Sequence, residues 1–556
     1  MTGLLARLEA PAHAGSNRAL DNADLRATPP SRRTWGFFFF ASFWFAAVSN
    51  VSNWVGGSTW LALGITFWEG VGCATAGYAI ISLWMIACGR PGARYNIGYP
   101  VVCRTSFGIF GAGWPALNRA VMATVWQGVN ATSGAQALYV MLYSMFPSIG
   151  NIKNKMPAGS ALTSAQMICF FVFLVINGLM LLLDIPKWKR LVWSKVVVFS
   201  LSAAGMLALA ITKAGGHVGP VVTKSSTIDG STRSWLLVRM ILTSAASCST
   251  FASNASDWQR NATKPNDPIL GQFIGFPLSN FIVQVIGMLV ASTSEVVYGK
   301  VVWNPVVYLE RLLVDNFDAA HRAGAFFISA GFVYSLLFSC VFENVYCCGN
   351  DLASLCPRFI TVRRGFAICL VGSAVINPWY LLGSASIFIS VLASYQIFLF
   401  SIASIIMVDY FVIAKGRIVY HDLFTANKQG TYFYSYGFNW RAFAAYFVGV
   451  AVNFAGFLTN FGIIKNVALT HSYYFAIFTT TFAAGIVYWG LSIAFPPPSL
   501  QKKWSEPKGL WDPDGELGVA TTTASSSEDA EDEKVDMKGT DLGVTTDVLP
   551  ALENRA

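Results

Sequence analysis

The sequence predicts an all-α integral membrane protein of about twelve transmembrane helices, and three observations predict it. Of 556 residues, 54% are apolar and only 12% are charged, half the roughly 25% charge of a soluble domain. The apolar residues gather in runs of about 20, the length that crosses a bilayer, with the charges clustered between them. Two of the runs, the first and the sixth, are interrupted by small polar residues at corresponding positions. This composition excludes a cytosolic enzyme, a secreted disulfide scaffold and a disordered hub.

Residues 1–34 are polar and contain arginines, with no apolar signal-peptide core before Trp35, so an uncleaved cytosolic N-terminal tail is expected. The transporter domain then spans 35–495, with apolar segments at 35–56, 62–88, 116–146, 164–184, 192–212, 236–256, 270–293, 323–348, 365–382, 385–412, 441–462 and 470–495. An even number puts both termini on one side. The dense basic clusters Arg90/Arg94/Arg104/Arg119, Lys187/Lys189/Arg190/Lys195 and Arg358/Arg363/Arg364 all fall on that side, which the positive-inside rule makes cytosolic. Four N-x-[ST] sequons, at Asn50, Asn130, Asn254 and Asn261, then lie in membrane or cytosol and are expected to carry no glycan.

Residues 496–556 form the expected disordered, acidic cytosolic tail, whose Ser525-Ser-Ser-Glu-Asp-Ala-Glu-Asp-Glu533 run is too poor in apolar residues to fold alone. Lys534 and Lys538 beside it are candidate ubiquitin acceptors for the endocytic machinery. Residues 501–556 hold 6 Lys/Arg against 13 Asp/Glu, so the overall charge of +9 hides +16 on the rest. No basic stripe is interleaved with exposed aromatics, so lipid rather than nucleic acid is the expected partner of that charge. The ten cysteines show no metal-ligand spacing and read as small buried hydrophobes. No cofactor or metal is expected.

The first run reads Phe45-Ala-Ala-Val-Ser-Asn-Val-Ser-Asn-Trp-Val-Gly-Gly57 and the sixth Ser244-Ala-Ala-Ser-Cys-Ser-Thr-Phe-Ala-Ser-Asn-Ala-Ser256. Small polar residues also permit close helix packing, but an offset of five spans is what an inverted five-plus-five repeat produces. In such a repeat the first helix of each half unwinds at mid-membrane to hold cargo and ion. Trp126 and Asn130, four apart in the third run, share a helix face and offer a flat aromatic surface beside an amide, suited to a planar heterocycle. Glu343 and Asn344 lie inside the apolar eighth run, where a carboxylate marks a proton relay or a binding group, or a Glu satisfied by a neighbouring helix. All five His (13, 217, 321, 421, 471) sit in tails, loops or span ends, so carboxylates are the expected proton carriers.

Further strings are more specific. Leu20-Asp-Asn-Ala-Asp-Leu25, Pro29-Pro-Ser-Arg-Arg-Thr-Trp35, Gly98-Tyr-Pro-Val-Val-Cys-Arg-Thr-Ser-Phe-Gly108 and Trp114-Pro-Ala-Leu-Asn-Arg-Ala120 occur in that order. Gly349-Asn-Asp351, Arg363-Arg-Gly365, Asp409-Tyr-Phe-Val-Ile-Ala-Lys-Gly416, Asn439-Trp-Arg-Ala442 and Asn453-Phe-Ala-Gly-Phe-Leu458 follow. From about residue 20 to 495 the chain resembles the nucleobase:cation symporter-1 family. It is most similar to the fungal branch of uracil, uridine and allantoin permeases, which has thiamine and nicotinamide riboside carriers as close relatives.

The resemblance implies a leucine-transporter-like five-plus-five inverted repeat with two C-terminal helices. It also implies a site between spans 1, 2, 6 and 7 and the scaffold around spans 3 and 8, with proton symport. Trp126 matches the family's stacking Trp, Asn344 the amide that reads the ring edge, and Asp351 a position tied to function. Ser339 and the backbone from Ala46 to Asn50 fall where bacterial relatives hold sodium. Three departures stand out. Asn130 replaces the usual Gln, Ser247-Cys248 stand where relatives have an aromatic or Lys, and Glu343 stands where a small residue is expected.

The expected function is a proton-coupled plasma-membrane importer of a nucleobase-like heterocycle such as uracil or allantoin. Trp126, Asn130, Asn344, Ser247 and Cys248 would contact the cargo, and Glu343, Asp351, Ser339, Ala46 and Asn50 would serve coupling, with a proton rather than sodium. The departures leave open a larger or cationic vitamin-like cargo, and a sensor that binds without transporting would share the same pocket. A major-facilitator carrier would need a longer central loop than the roughly 13 residues between spans six and seven. No protease, P-loop or hydrolase motif in a believable context suggests an enzyme.

Overall fold

The architecture is a bundle of helices crossing the molecule twelve times, and the residue order explains where each one starts and stops. A computed structural model describes residues 9–10, 17–180, 182, 188–223, 226 and 228–507, all within one compact unit. The candidate ubiquitin acceptors Lys534 and Lys538 lie outside the described residues.

Span 1 comprises Phe37–Val48 and Val51–Ser58, span 2 is Phe67–Tyr95, and span 3 is Gly113–Met145, preceded by a short helix Tyr99–Phe107. Spans 4 and 5 are Ser164–Met180 and Trp188–Lys213. Span 6 has three pieces, Gly230–Ala246, Ser249–Ser253 and Ala255–Gln259, and span 7 is Asp267–Tyr298. A loop helix, Pro305–Asp315, leads to span 8, in which Ala319–Ser339 passes through a wide π turn at Cys340–Val345 into Tyr346–Leu355. Span 9 is Val362–Val375 and span 10 is Ala385–Ser394 with Gln396–Val408. Spans 11 and 12 are Trp440–Asn460 and Val467–Tyr474 with Ala476–Ala494.

Seven helices among the described residues are long and apolar enough by themselves to cross a bilayer. Most of the others are short or broken. Span 3 is long but carries Arg119, Gln127, Asn130, Thr132, Ser133 and Gln136 buried inside the protein, so its polarity faces helices rather than lipid.

The break in span 1 is satisfied by one side chain. Asn50 has extended backbone, φ −151° and ψ 165°. Its Nδ2 donates to the Ala47 carbonyl at 2.8 Å and its Oδ1 accepts from the Asn53 N–H at 2.9 Å, serving both helix ends that the break exposes. Ser335 of span 8 donates its hydroxyl to the Ser49 carbonyl. Unwound backbone at this depth survives because protein groups take up its polar atoms.

Spans 1, 2, 6 and 7 meet along glycines. A Cβ on Gly77 would come within 2.4 Å of the Ile241 carbonyl, and one on Gly92 within 2.5 Å of Ser256 Cα, so span 2 lies with its backbone against span 6. Gly275 of span 7 sits in the same way against Ala41 of span 1, and Gly287 against Trp54. Small residues let membrane helices approach this closely.

Two segments expected as free tails are packed. Near the start of the described chain, Leu20 and Leu25 are buried and Thr28 N–H donates to Asn96 O at 2.8 Å. Trp35 bridges to Ala262, Asp24 accepts from Val362 N–H at 3.1 Å, and Ala27 N–H donates to Tyr420 at 3.1 Å. Apolar Leu20 and Leu25 and the hydrogen-bonding Asn22, Asp24 and Thr28 tie this segment to four helix ends. Beyond span 12, Glu506 receives two hydrogen bonds from Arg90 at 2.9 and 2.8 Å and one from Tyr410 at 2.6 Å, while Trp504 stacks on Phe411. Residues 496–507 thus run as a strap across the ends of spans 2 and 10, anchored through Glu506 and Trp504 while much of its length is exposed.

Candidate functional site

The breaks in spans 1 and 6 and the π turn of span 8 surround a single central cavity. It is lined by Asn50, Ser52, Asn53, Gly56 and Trp60 from span 1 and its end, Tyr78 from span 2, and Trp126 and Asn130 from span 3. Span 6 adds Thr243, Ser244, Ser247, Cys248, Thr250 and Phe251, span 8 adds Glu343 and Asn344, and span 10 adds Leu392. The free space is about 40 Å³, enough for about three waters, so cargo of heterocycle size must part the lining contacts.

Of the ten residues singled out from the sequence, seven line this cavity: Trp126, Asn130, Asn344, Ser247, Cys248, Glu343 and Asn50. Ser339 lies one turn from Glu343, outside the lining, and Ala46 is buried against span 1's neighbours. Asp351 is elsewhere. It is fully buried, 4.0 Å from the guanidinium of Arg119, and is not among the residues that line the cavity. The eight-position separation of Glu343 and Asp351 carries it about 12 Å along the helix.

Trp126 is half-buried and its indole N–H is already used, donating to the Tyr395 hydroxyl at 3.1 Å. Tyr395 in turn donates to the Ser247 carbonyl at 2.7 Å, one of the groups freed where span 6 unwinds. The ring face of Trp126 remains as the aromatic wall. Asn130 accepts through Oδ1 from the Ser52 hydroxyl. Asn344 is 6% exposed, and its Nδ2 has no hydrogen-bond partner among the described residues.

Glu343 is paired with a neighbouring helix, the alternative that the sequence leaves open, and its partner is a residue that the sequence alone does not connect with it. Its carboxylate lies 3.4 Å from the ammonium of Lys195 and accepts from Asn50 Nδ2 at 3.4 Å, and the ammonium donates to the Ser339 hydroxyl at 2.7 Å. Lys195 is 1% exposed. In sequence it reads as the last member of a basic loop cluster, but it falls in the second turn of Trp188–Lys213, inside the helix. The signal that could have found it is its five-residue distance from Arg190. The loss of an aromatic at Ser247-Cys248 is offset three residues on, because Phe251 also lines the cavity and packs edge-on against Trp44 and Phe276.

Three of the four sequons, Asn50, Asn130 and Asn254, are buried, beyond the reach of glycosylation. Ten cysteines are free, nine of them buried, and no cluster of three or more metal-ligating side chains occurs among the described residues.

A cavity at mid-membrane, walled by two broken helices from opposite halves of a twelve-span fold, defines a secondary transporter. Residues 27–478 match the family model described as permease for cytosine/purines, uracil, thiamine, allantoin, and the chain belongs to that family of membrane transporters. It is not an enzyme. It is 33% identical to the allantoin permease of Saccharomyces cerevisiae over 487 residues, 86% of this chain and 76% of the relative. It is 33% identical to the uridine permease of the same yeast over 498 residues, 88% and 78% of the two chains. The fold is similar to that of Mhp1, a nucleobase-cation-symport-1 family transporter solved in a closed conformation with bromovinylhydantoin bound. The TM-score is 0.69 and the identity 20%, over 87% of this chain and 98% of that one.

Proposed function

We propose that the chain is a proton-coupled symporter that imports a small, neutral heterocycle of the nucleobase or ureide kind across the plasma membrane, with both termini in the cytosol. The observation that carries this reading is the pairing of Lys195 with Glu343 beside the cavity. A lone carboxylate there would favour a cationic cargo such as thiamine. With its charge answered by a buried ammonium, the lining is neutral, and a cation entering it would be desolvated with no counter-charge of its own.

The same pair supports the proton. Lys195 places its ammonium on Ser339, the position that the family resemblance associates with a sodium ion, so a fixed cation stands there. The mobile charge is then a proton on Glu343. When the carboxylate takes it up, the attraction to Lys195 and the link from Asn50 in span 1 to span 8 both weaken, and the two sides of the cavity are free to part. Trp126 stacks on the cargo while Asn130 and Asn344 hydrogen-bond its edge.

The test is uptake of radiolabelled uracil, allantoin, thiamine and nicotinamide riboside into cells lacking their own carriers, at acid and neutral pH, with and without sodium. Uptake of uracil or allantoin that is faster in acid, indifferent to sodium and abolished in Glu343→Gln supports the reading. Sodium-dependent uptake, or uptake of thiamine alone, overturns it.

A further inference from the structure

We infer that the strap 496–507 is a docking surface for the phosphate headgroups of anionic membrane lipids, held by Lys502, Lys503 and Arg417 with Trp504 seated at the membrane surface beside them.

The strap is hydrogen-bonded onto the turn that follows span 10. Gln501 N–H donates to the Ile413 carbonyl and Ser505 N–H to the Lys415 carbonyl, both at 2.9 Å, and the Lys415 ammonium donates to the Lys502 carbonyl at 2.7 Å. A Cβ on Gly416, whose φ is +81°, would come within 2.7 Å of Glu506 Cβ, so the strap lies directly on the backbone of the turn. These ties use Lys415 but leave Lys502, Lys503 and Arg417 exposed, with no ion pair among the described residues. The acidic groups nearby are already committed. Glu506 serves Arg90 and Tyr410, Asp409 accepts from the Tyr488 hydroxyl at 2.8 Å, and Asp422 accepts from Thr431 N–H at 2.8 Å. Three cations therefore share a short stretch of surface without a counter-charge.

Trp504 sets the depth of this surface. It is 52% exposed and lies flat against Phe411, with ring centroids 6.1 Å apart and planes at 16°. Phe411 and its neighbour Val412 are exposed apolar residues in the last turn of span 10, and on a spanning helix such a face meets hydrocarbon. Tryptophan favours the level where hydrocarbon gives way to headgroups. The ends of spans 11 and 12 repeat the pattern, since exposed Trp440 and Phe495 pack edge to face at 5.5 Å and Arg441 lies 5.2 Å from the Trp440 ring. Lys502 and Lys503 immediately precede Trp504 and so stand at headgroup level, where each basic residue gains about fivefold in affinity for an anionic surface.

The acidic run Glu528–Glu533 of the same chain has a suitable charge but no large apolar residue. A surface that sets exposed Trp504 and Phe411 beside bare cations calls for a partner with an apolar part and an anionic part, which is a lipid. With the termini in the cytosol, as proposed above, the leaflet it meets is the one that concentrates anionic lipids.

The test is hydrogen exchange of residues 499–507 in the full-length protein, whose Gln501 and Ser505 amides report lifting of the strap. The protein is held in nanodiscs of phosphatidylcholine alone or of phosphatidylcholine and phosphatidylserine in equal parts. The expected result is exchange at least about fivefold slower with phosphatidylserine, the gain being lost at high salt and in the double variant Lys502→Gln, Lys503→Gln. Equal exchange in the two discs overturns the inference, and so does slowing that survives in the double variant. Inorganic phosphate that slows exchange as much as phosphatidylserine does, added to discs of phosphatidylcholine alone, overturns it in favour of a simple anion site. A further full-length variant changes Glu528, Asp529, Glu531, Asp532 and Glu533 to their amides. Faster exchange of this variant in phosphatidylcholine, with no effect of phosphatidylserine on the wild type, assigns the surface to the chain's own acidic run and overturns the lipid. Because both leaflets of the discs have one composition, none of these outcomes depends on the orientation of the chain or on its cargo.

Discussion

Trp126 and the carbonyl of Ser247 are joined through one hydroxyl: Tyr395 accepts from the indole N–H at 3.1 Å and donates to the carbonyl at 2.7 Å. The three residues belong to spans 3, 10 and 6, so one short chain of hydrogen bonds crosses the cavity from the scaffold to the broken helix. Tyr395→Phe removes both bonds without changing the ring. The expected outcome is a fold intact by thermal melting and an apparent KM for cargo raised about fivefold to thirtyfold, the effect of losing one or both bonds at about 1 kcal/mol each. An unchanged KM would show that the bridge has no part in holding cargo.

The Lys195 and Glu343 pair predicts strong non-additivity. Lys195→Met leaves a buried carboxylate and Glu343→Gln a buried ammonium, and each is expected to cost about 3–5 kcal/mol of stability. The double variant buries no charge and is expected to recover most of that loss while failing to recover acid-stimulated uptake. Melting temperatures of the three variants and their uptake at acid and neutral pH check both halves of the statement.

The loop helix Pro305–Asp315 carries a pH dependence of its own. Burial pushes the Glu310 carboxyl up from 4.5 to about 6, against the opposing effects of the hydrogen bond from Gln166 and of Arg311. A carboxyl raised in the folded state contributes stability that is complete below pH 4.5 and is lost as pH rises through about 6. Docking of this helix on the start of span 4 is therefore firmer in acid. Hydrogen exchange of residues 305–315 should quicken between those values, and Glu310→Gln should flatten the profile.

Glu506 behaves in the opposite sense. Burial alone would raise its carboxyl, but the hydrogen bonds from Arg90 and Tyr410 and the Arg90 charge outweigh it and hold the group below the usual 4.5. The strap's stability is then present above 4.5 and lost as pH falls through the lower folded value. Glu506→Gln keeps the shape and removes the charge. It is expected to speed limited proteolysis within 496–507 at neutral pH and to leave cargo affinity unchanged.

The breaks in spans 1 and 6 are legible in the sequence because a bilayer offers exposed backbone no water. Ser49-Asn50 and Ser247-Cys248 within apolar runs therefore mark backbone that protein or cargo must serve. Helical spacing aligns Trp126 with Asn130, and the structure places them with Asn344 and Glu343 on one cavity. Lys195 is hidden because proximity assigns a charge cluster to a loop, and only five residues separate it from Arg190 at the helix start. Tyr395 gives no signal, since a Tyr in an apolar run is ordinarily core and the break beside it arises from tertiary packing. The packed segments at 17–34 and 496–507 escape a sequence reading for a related cause. Their polar side chains bond to helix ends far away in sequence, and local composition does not report such partners.

The glycine seam has a mechanical meaning. Where Gly77 and Gly92 press span 2 onto span 6, and Gly275 presses span 7 onto span 1, no side chains interpose that could repack. On the proposed symport mechanism the four helices are expected to move as one body, so that a displacement begun at mid-length by a ring or a proton reaches both ends of the bundle together. On the same mechanism, turnover is expected to depend on how firmly the surrounding helices hold that body, through Tyr395 on one side and Glu343 on the other.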